Sequence, residues 1–391
     1  MNVGELAGAG FDAERLERVK ASIAADIAAE HYDGAIIAVA RHGEMVLKHA
    51  DGFADRATGR KMELDTPIFT FSVGKQFTAA VVLHYVERGL LQLTTRVSDI
   101  IPAFGCRGKE NAQLWHLLTH TSGVLAQTPM VPPEILFNIE TFVDYICTQP
   151  AENPPGSRVN YSIGAGHSVL AEMVRRVDGG QRSFRDIQRE TLFDPLGMKD
   201  TYLGLPALVR ERVAPIVARY DQATLMDPAG LVALGALMKP ETELPSGGFV
   251  STIADVSRFA EMLRGGGALT VDGREVRILS PAMIDYASRV HTGAMSNGLF
   301  DFAVNHRGWA PFSADIGLGF FVRGESVHPT PFGTLASART FGGWGSGATC
   351  FFVDPARDLT FCFLSTGLME DTRSIERFQK LADMVFSSIV A

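Results

Sequence analysis

The chain has 391 residues, 46% of them hydrophobic and 20% charged, with 39 glycines and 19 prolines. This is ordinary globular composition, long enough for two to three folding units or one large domain with an insert, and it excludes a disordered, collagenous or disulfide-dense chain. Lys and Arg number 36 against 44 Asp and Glu, a net charge of -8, and no basic run is long enough to track a phosphate backbone, so nucleic acid is not an expected partner.

The opening MNVGELAGAGFDAERLERVK lacks a basic start, an apolar stretch and a small-residue cleavage site, so no signal peptide is expected. No apolar run approaches the roughly 20 residues that cross a bilayer, and the expectation is a soluble cytoplasmic protein without membrane contact. Leu16, Val19, Ile23 and Ile27 recur at three to four positions, with charges filling the other face. That spacing predicts an amphipathic surface helix from Phe11 to Glu30. Gly34 to Asp55 gives two short β-rich runs around a turn from Arg41 to Glu44, an antiparallel hairpin.

From Lys75 to about Lys239, helical patterns such as QFTAAVVLHYVERG and HSVLAEMVRRVDG alternate with Pro/Gly loops such as VPPE and ENPPGSRVN, which reads as mainly helical. From about Leu318, the runs GLGFFVRG, GATCFFVD and DLTFCFLST read as strands, and SIERFQKLADMVFSSIV closes the chain as a helix. The order predicts an α/β (α+β) architecture, an antiparallel sheet flanked by N- and C-terminal helices. Residues 1–74 and 240–391 form that unit, a mainly helical domain spans 75–239, and a site lies in the cleft between them.

Cys106, Cys147, Cys350 and Cys362 are far apart, with no CxxC and no Cys/His pairing of zinc spacing; they read as buried thiols of a reduced compartment. His116 and His120 have helical metal-pair spacing but lack the accompanying glutamate. Gly166-His167-Ser168 approaches a nucleophile elbow, yet the last glycine is missing and Ser168 falls inside a helical pattern. No phosphate-binding glycine motif is present. No metal or cofactor is expected.

Three segments carry chemistry. Ser72 stands three residues before Lys75 at the start of a strong helix, so the two side chains share a face of its first turn. A serine hydroxyl needs a base, and a lysine held neutral can be one. Tyr161 follows a Pro/Gly-rich loop; beside a lysine ammonium its phenol would ionise more easily and relay a proton. In RTFGGWGSGATCFFVDPARDLTFCFLST glycines precede an apolar strand and its return strand. There they would let a substrate approach the backbone, and an edge strand would offer an amide to pair with that of Ser72 in an oxyanion hole. Taken singly, blander readings fit better: a first-turn serine with a solvated lysine, a packed loop tyrosine, a hairpin with Trp344 as surface anchor.

Together and in this order, the three segments resemble the serine β-lactamase and penicillin-binding-protein superfamily, in its class C-like branch of family VIII-type carboxylesterases. LWHLLTHTSGV, LFDPLGMKDTYLG, LPSGGFVSTIADVSRFAEML and FFVDP extend the likeness over nearly the whole chain. The resemblance implies that Ser72 is the nucleophile, Lys75 its base or proton store, and Tyr161 the relay that activates water. It sets the family's third triplet at Gly343-Trp344-Gly345, with Ser346 and Ser72 supplying the oxyanion-hole amides. His291-Thr292-Gly293 matches that triplet's letters better, but no strand and return strand follow it. The family's Tyr-x-Asn is Tyr161-Ser162-Ile163 here, and Gly343 stands where a cation or imidazole is usual. These departures remove contacts that hold a β-lactam, whereas Ile163 and Trp344 suit an uncharged acyl group. The expected partner is a small-molecule ester, or a lactone, cleaved through an acyl-Ser72 intermediate. An acyltransferase, an amidase or a β-lactamase would use the same intermediate, and a non-catalytic binding protein is the alternative of another class.

Overall fold

The computed structural model describes residues 9–222 and 225–390. Gly34–Arg41 (β1) is buried along nearly its whole length, the mark of a strand covered on both faces. It pairs antiparallel with Glu44–Asp55 (β2) on one side, with Gly34 opposite Gly52 and Arg41 opposite Glu44. Beyond β2 lies the short strand Arg60–Lys61 (β3). The other neighbours come from the end of the chain: Phe321–Val322 (β4), Phe341–Gly345 (β5), Thr349–Asp354 (β6) and Leu359–Thr366 (β7). The sheet order is β4-β5-β6-β7-β1-β2-β3, and every adjacent pair is antiparallel.

Alternation along β1 divides the core, because successive side chains leave a strand on opposite faces. Ile37 and Val39 join Phe363 and the helices Ala13–Ala28 (α1) and Asp371–Ser387 (α7), through Leu16, Val19, Phe378 and Val385. Ile36 and Ala38 face a second cluster that runs without a break through Phe351 and Phe259 to Phe77 and Leu170. Phe77 belongs to Gly74–Glu87 (α2), Leu170 to Ala165–Val177 (α4) and Phe259 to Ile253–Arg264 (α6). Around them stand Ile139–Thr148 (α3) and Pro228–Leu237 (α5). No helix among the described residues is long and apolar enough to cross a membrane.

Helix ends follow their caps. Asp12 accepts the Arg15 amide and starts α1 at Ala13, two residues inside the expected span. Glu370 accepts the Thr372 and Arg373 amides, so α7 begins three residues before the run that its sequence suggests. Two further expectations need correction. The glycine-rich strand β5 is not the sheet's edge, since β4 pairs with Phe341 and Gly342; Gly343–Gly345 run on past that two-residue partner. Cys106 is half-buried, whereas Cys147, Cys350 and Cys362 are buried, and all four are free thiols.

Phe77 ties the layers together. Its ring meets Phe193, Phe249 and Phe259 edge-on, with centroids 5.7, 5.7 and 4.9 Å away, and its side chain has no exposure. Phe77→Ala is expected to destabilise the fold by about 3–5 kcal/mol, through lost transfer energy plus a cavity. A shift in the denaturant midpoint at unchanged slope checks it; a cost under 1 kcal/mol would mean that the layers are held elsewhere.

Candidate active site

A three-residue turn at Phe71–Val73 leads into α2. It is held from below: the Thr70 carbonyl accepts from the Val73 amide at 3.2 Å and from Thr349 Oγ1 at 2.8 Å. Phe71 sits at φ 48, a left-handed conformation that costs an aromatic residue on the order of 1–3 kcal/mol. Gly74 is required for a different reason: a Cβ there would stand 2.1 Å from the Phe249 ring. Ser72 is left partly exposed while Lys75, one turn on, is 1% exposed.

The Lys75 amine is enclosed by oxygen. It donates to the Ile163 carbonyl at 2.9 Å and the Ser246 carbonyl at 3.0 Å, and lies 3.2 Å from Ser72 Oγ. Thr78 Oγ1 fixes the same loop by donating to the Pro245 carbonyl at 2.8 Å. Burial lowers the Lys75 amine to about 7, because desolvation penalises the charged form. A neutral amine has two N–H bonds and one lone pair. With both N–H bonds taken by carbonyls, the lone pair is left for the Ser72 hydroxyl.

Tyr161 arrives on a loop pinned to the 120–126 segment. Asn160 N donates to the His120 carbonyl at 2.8 Å, Ser162 N to His120 Nδ1 at 3.2 Å and Ile163 N to the Ala126 carbonyl at 2.9 Å. The Tyr161 ring lies between the His120 ring, 4.4 Å away, and Lys75 Nζ, 5.0 Å from its centroid. Its hydroxyl is close enough to Ser72 for the serine to act on its acidity. The expectation of an acidified phenol is overturned. Burial raises the Tyr161 phenol well above the ordinary tyrosine range; Ser72 opposes this and Asp371 adds to it. With its acidity so suppressed by burial, Tyr161 holds its proton at neutral pH. Behind it, burial pushes the His120 imidazole down to about 3 and the His167 imidazole well below its ordinary value.

Across from Ser72 the chain leaves β5 through Ser346, at φ 20. Among the described residues neither the Ser72 nor the Ser346 amide takes part in a turn or loop backbone hydrogen bond, and both residues line the same two cavities. The larger cavity, about 420 Å³, is walled mainly by apolar groups, including Leu136, Ile163, Leu231 and Leu234. The smaller, about 30 Å³, lies between Ser72, Tyr161, Trp344, Phe300 and Asp371.

Gly343 and Gly345 behave differently from the sequence expectation. Neither lines these cavities. A Cβ at Gly343 would meet the Gln76 carboxamide at 2.0 Å, and one at Gly345 the Thr70 carbonyl at 2.5 Å. The glycines admit the protein's own groups, not a substrate. Trp344, between them, turns its ring to Phe321 at 4.0 Å and Phe300 at 5.9 Å. The competing triplet stays apart: Thr292 Oγ1 donates to the Ala314 carbonyl at 2.6 Å and the His291 ring rests against Tyr286 at 4.8 Å. Ser168 is buried within α4.

Gln127, Thr128, Met130 and Leu136 line the larger cavity, and with them stands a stretch to which the sequence assigns no role. It comes from Leu225–Asp227 and α5. The sequence of α5, PAGLVALGAL, is apolar all round and shows no face to assign. Val232 and Leu237 are nevertheless exposed, so its uniformly apolar sequence does not reflect burial all round. Asp371 was missed because it precedes the run that reads as a helix.

A model of the family described as Beta-lactamase matches residues 19–384. Penicillin-binding protein 4 of Amycolatopsis lactamdurans is 30% identical over 339 residues, 84% of this chain and 85% of that protein. Esterase EstB of Burkholderia gladioli is 33% identical over 184 residues, 43% of this chain and 46% of its own. The crystal structure of a family VIII carboxylesterase superposes with a TM-score of 0.74 at 23% identity, covering 97% of this chain and 99% of that one; at that identity the likeness is one of fold.

Burying the Lys75 amine costs stability wherever the unfolded chain would hold the proton. Its value falls from 10.5 to about 7 on folding, so between these limits the unfolded state binds more protons and stability rises with pH. The penalty is full below about 7 and gone above about 10.5. Lys75→Met should therefore raise stability near pH 7 by about 2 kcal/mol, net of the lost hydrogen bonds, with the gain fading towards pH 10. Urea unfolding of both proteins at the two pH values checks it; an equal difference at each would refute a buried, proton-shedding amine.

Proposed function

The chain belongs to the beta-lactamase family, and from that membership and the Ser72–Lys75–Tyr161 cluster we propose that it is a serine hydrolase of small or medium carboxylic esters. The observation that supports this most directly is the Lys75 amine, held by two carbonyls with its remaining valence towards Ser72 Oγ. The larger cavity, about 420 Å³ and mostly apolar, has the size of a small-molecule site and suits an uncharged acyl chain. The likeness to esterase EstB points the same way.

In this reading the neutral Lys75 takes the Ser72 proton as Oγ attacks the ester carbonyl. The Ser72 and Ser346 amides receive the oxyanion. Tyr161 gives its proton to the departing alkoxide, which leaves as the alcohol; acyl-Ser72, a Lys75 ammonium and a Tyr161 phenolate remain. Water then loses a proton to Tyr161 and adds to the acyl group. As the acid departs, Lys75 returns its proton to Ser72 Oγ. One water is consumed and every proton is restored. The opposite charges formed on Lys75 and Tyr161 stabilise each other, which offsets the high starting value of the phenol.

Ser72→Ala is expected to lower hydrolysis of an activated aryl ester by about 1,000-fold or more with thermal unfolding unchanged; retained turnover would remove Ser72 from the mechanism. Because acylation needs the neutral amine and burial sets that amine near 7, kcat/KM should climb about tenfold per pH unit below 7 and level off above it. A profile flat from pH 5 to 8 would count against Lys75 as the base.

A further inference from the structure

Tyr161 belongs to neither helix nor strand. It stands in the connection between Arg158–Val159 and α4, where no repeating backbone hydrogen bond aims a side chain. Its direction comes from a residue of another segment, His120, which meets the chain before it, after it and at its ring.

His120 follows the short helix Leu114–Leu118 and is 5% exposed. Its carbonyl accepts the Asn160 amide at 2.8 Å, and its ring Nδ1 accepts the Ser162 amide at 3.2 Å. Between those two amides the imidazole packs on the Tyr161 ring, with centroids 4.4 Å apart and planes at 33°. His120 makes all three contacts from φ 56, a left-handed backbone uncommon outside glycine and asparagine, and strain of this kind persists where the surroundings over-determine it.

Nδ1 can accept that amide only while it is unprotonated, which puts the ring proton on Nε2. Burial, with Lys75 nearby, pushes the imidazole down to about 3, so the acceptor is present wherever the Lys75 amine can serve as a base. Behind it the His167 ring lies 5.4 Å away. Neither nitrogen of His167 has a hydrogen-bond partner among the described residues, so it backs His120 by packing alone. Lys75 Nζ, 5.0 Å from the Tyr161 centroid, and the Phe321 ring, at 6.1 Å, complete the surroundings of the phenol ring.

Resting on the reading of the site as an ester hydrolase, we propose that His120 is a positioning residue that acts through Tyr161: by holding the phenol in place it lets the enzyme expel a poor leaving group. As the bond between the acyl carbon and the alcohol oxygen breaks, its electron pair stays on that oxygen and the phenol proton follows. An alkoxide needs that proton to leave, whereas 4-nitrophenolate, a weak base, does not. Misplacing the donor by about 1 Å costs the transfer about 100-fold. Loss of His120 therefore weighs on alkyl esters far more than on activated aryl esters.

The test compares ethyl butyrate, followed by pH-stat, with 4-nitrophenyl butyrate, followed by absorbance, in the wild type, His120→Ala and His120→Asn, with thermal unfolding of each. The acyl group is shared, and kcat/KM reports the steps up to the acyl-enzyme for both. His120→Ala loses both side-chain contacts and should lower kcat/KM about 100-fold for the ethyl ester and less than about tenfold for the nitrophenyl ester. His120→Asn keeps an acceptor for the Ser162 amide and suits the left-handed backbone. It should shift the ratio of the two esters in the same direction by about threefold or more, and it decides alone if the alanine variant does not fold. General loosening of the site slows both esters alike, so a ratio unchanged from the wild type overturns the proposal, whatever activity is lost, and leaves the hydrolase reading intact. A wild type that cleaves only the nitrophenyl ester overturns it too. Where acyl-Ser72 accumulates without turnover, its rate of formation by intact mass gives the same ratio; no turnover and no acyl-Ser72 from either ester overturns both readings.

Discussion

Enclosing a lysine amine behind a serine hydroxyl is the constraint on which the rest of the site depends. In water the amine would be an ammonium at neutral pH, with no lone pair to accept a proton. Three oxygens within 3.2 Å and near-complete burial change that. The Ile163 and Ser246 carbonyls matter as much as the nucleophile, since they hold the two N–H bonds of the neutral form and so aim the third valence. They come from chain segments that are 83 residues apart in sequence, 163 and 246. The tertiary fold, more than local sequence, makes Lys75 a base.

The surrounding backbone is arranged around the same point. Phe71 and Ser346, on the two sides of the reacting hydroxyl, have positive φ values, and His120, whose ring supports Tyr161, is a third such residue. Strain of this kind persists where packing over-determines it. Here the packing is visible: the Gly345 Cα lies against Thr70 and Phe71, Gly74 against Phe249, and α2 is buried at Lys75, Gln76, Phe77 and Thr78 alike. A helix buried all round cannot rotate to relieve a neighbour. The stability that the Phe77 cluster provides is thus also what keeps Ser72 and Lys75 in register.

Much of this was legible from residue order, and the failures share a cause. The amphipathic period of α1, the hairpin of β1 and β2, and the strand pair β6 and β7 follow from periodicity and turn residues, because each is decided by near neighbours in sequence. Ser72 and Lys75 are joined by helix geometry alone. Tyr161 was recognisable as a partner, but the direction of its acidity was not: that depends on burial and on Asp371, 210 positions further along, 371 against 161. The glycines around Trp344 were legible as close-approach positions. What approaches them, Gln76 and Thr70, was not, since a missing Cβ announces proximity without naming the neighbour. The wall formed by α5 escaped because its sequence is apolar on every side.

Gln76 links that misreading to the character of the site. Its amide nitrogen donates to the Gly319 carbonyl at 3.1 Å, while Oε1 has no hydrogen-bond partner among the described residues. A buried acceptor so placed costs on the order of 1–3 kcal/mol. It is retained against the bare Cα of Gly343, where any side chain would displace it. Filling that space with a neutral carboxamide removes the position from which a cation could reach the β5 side of the cavity. A lysine brought near neutrality by burial and a protonated tyrosine then face Ser72. The larger cavity that results is walled mainly by apolar groups, an environment in which an uncharged carbonyl compound loses least on entering and a charged one loses most.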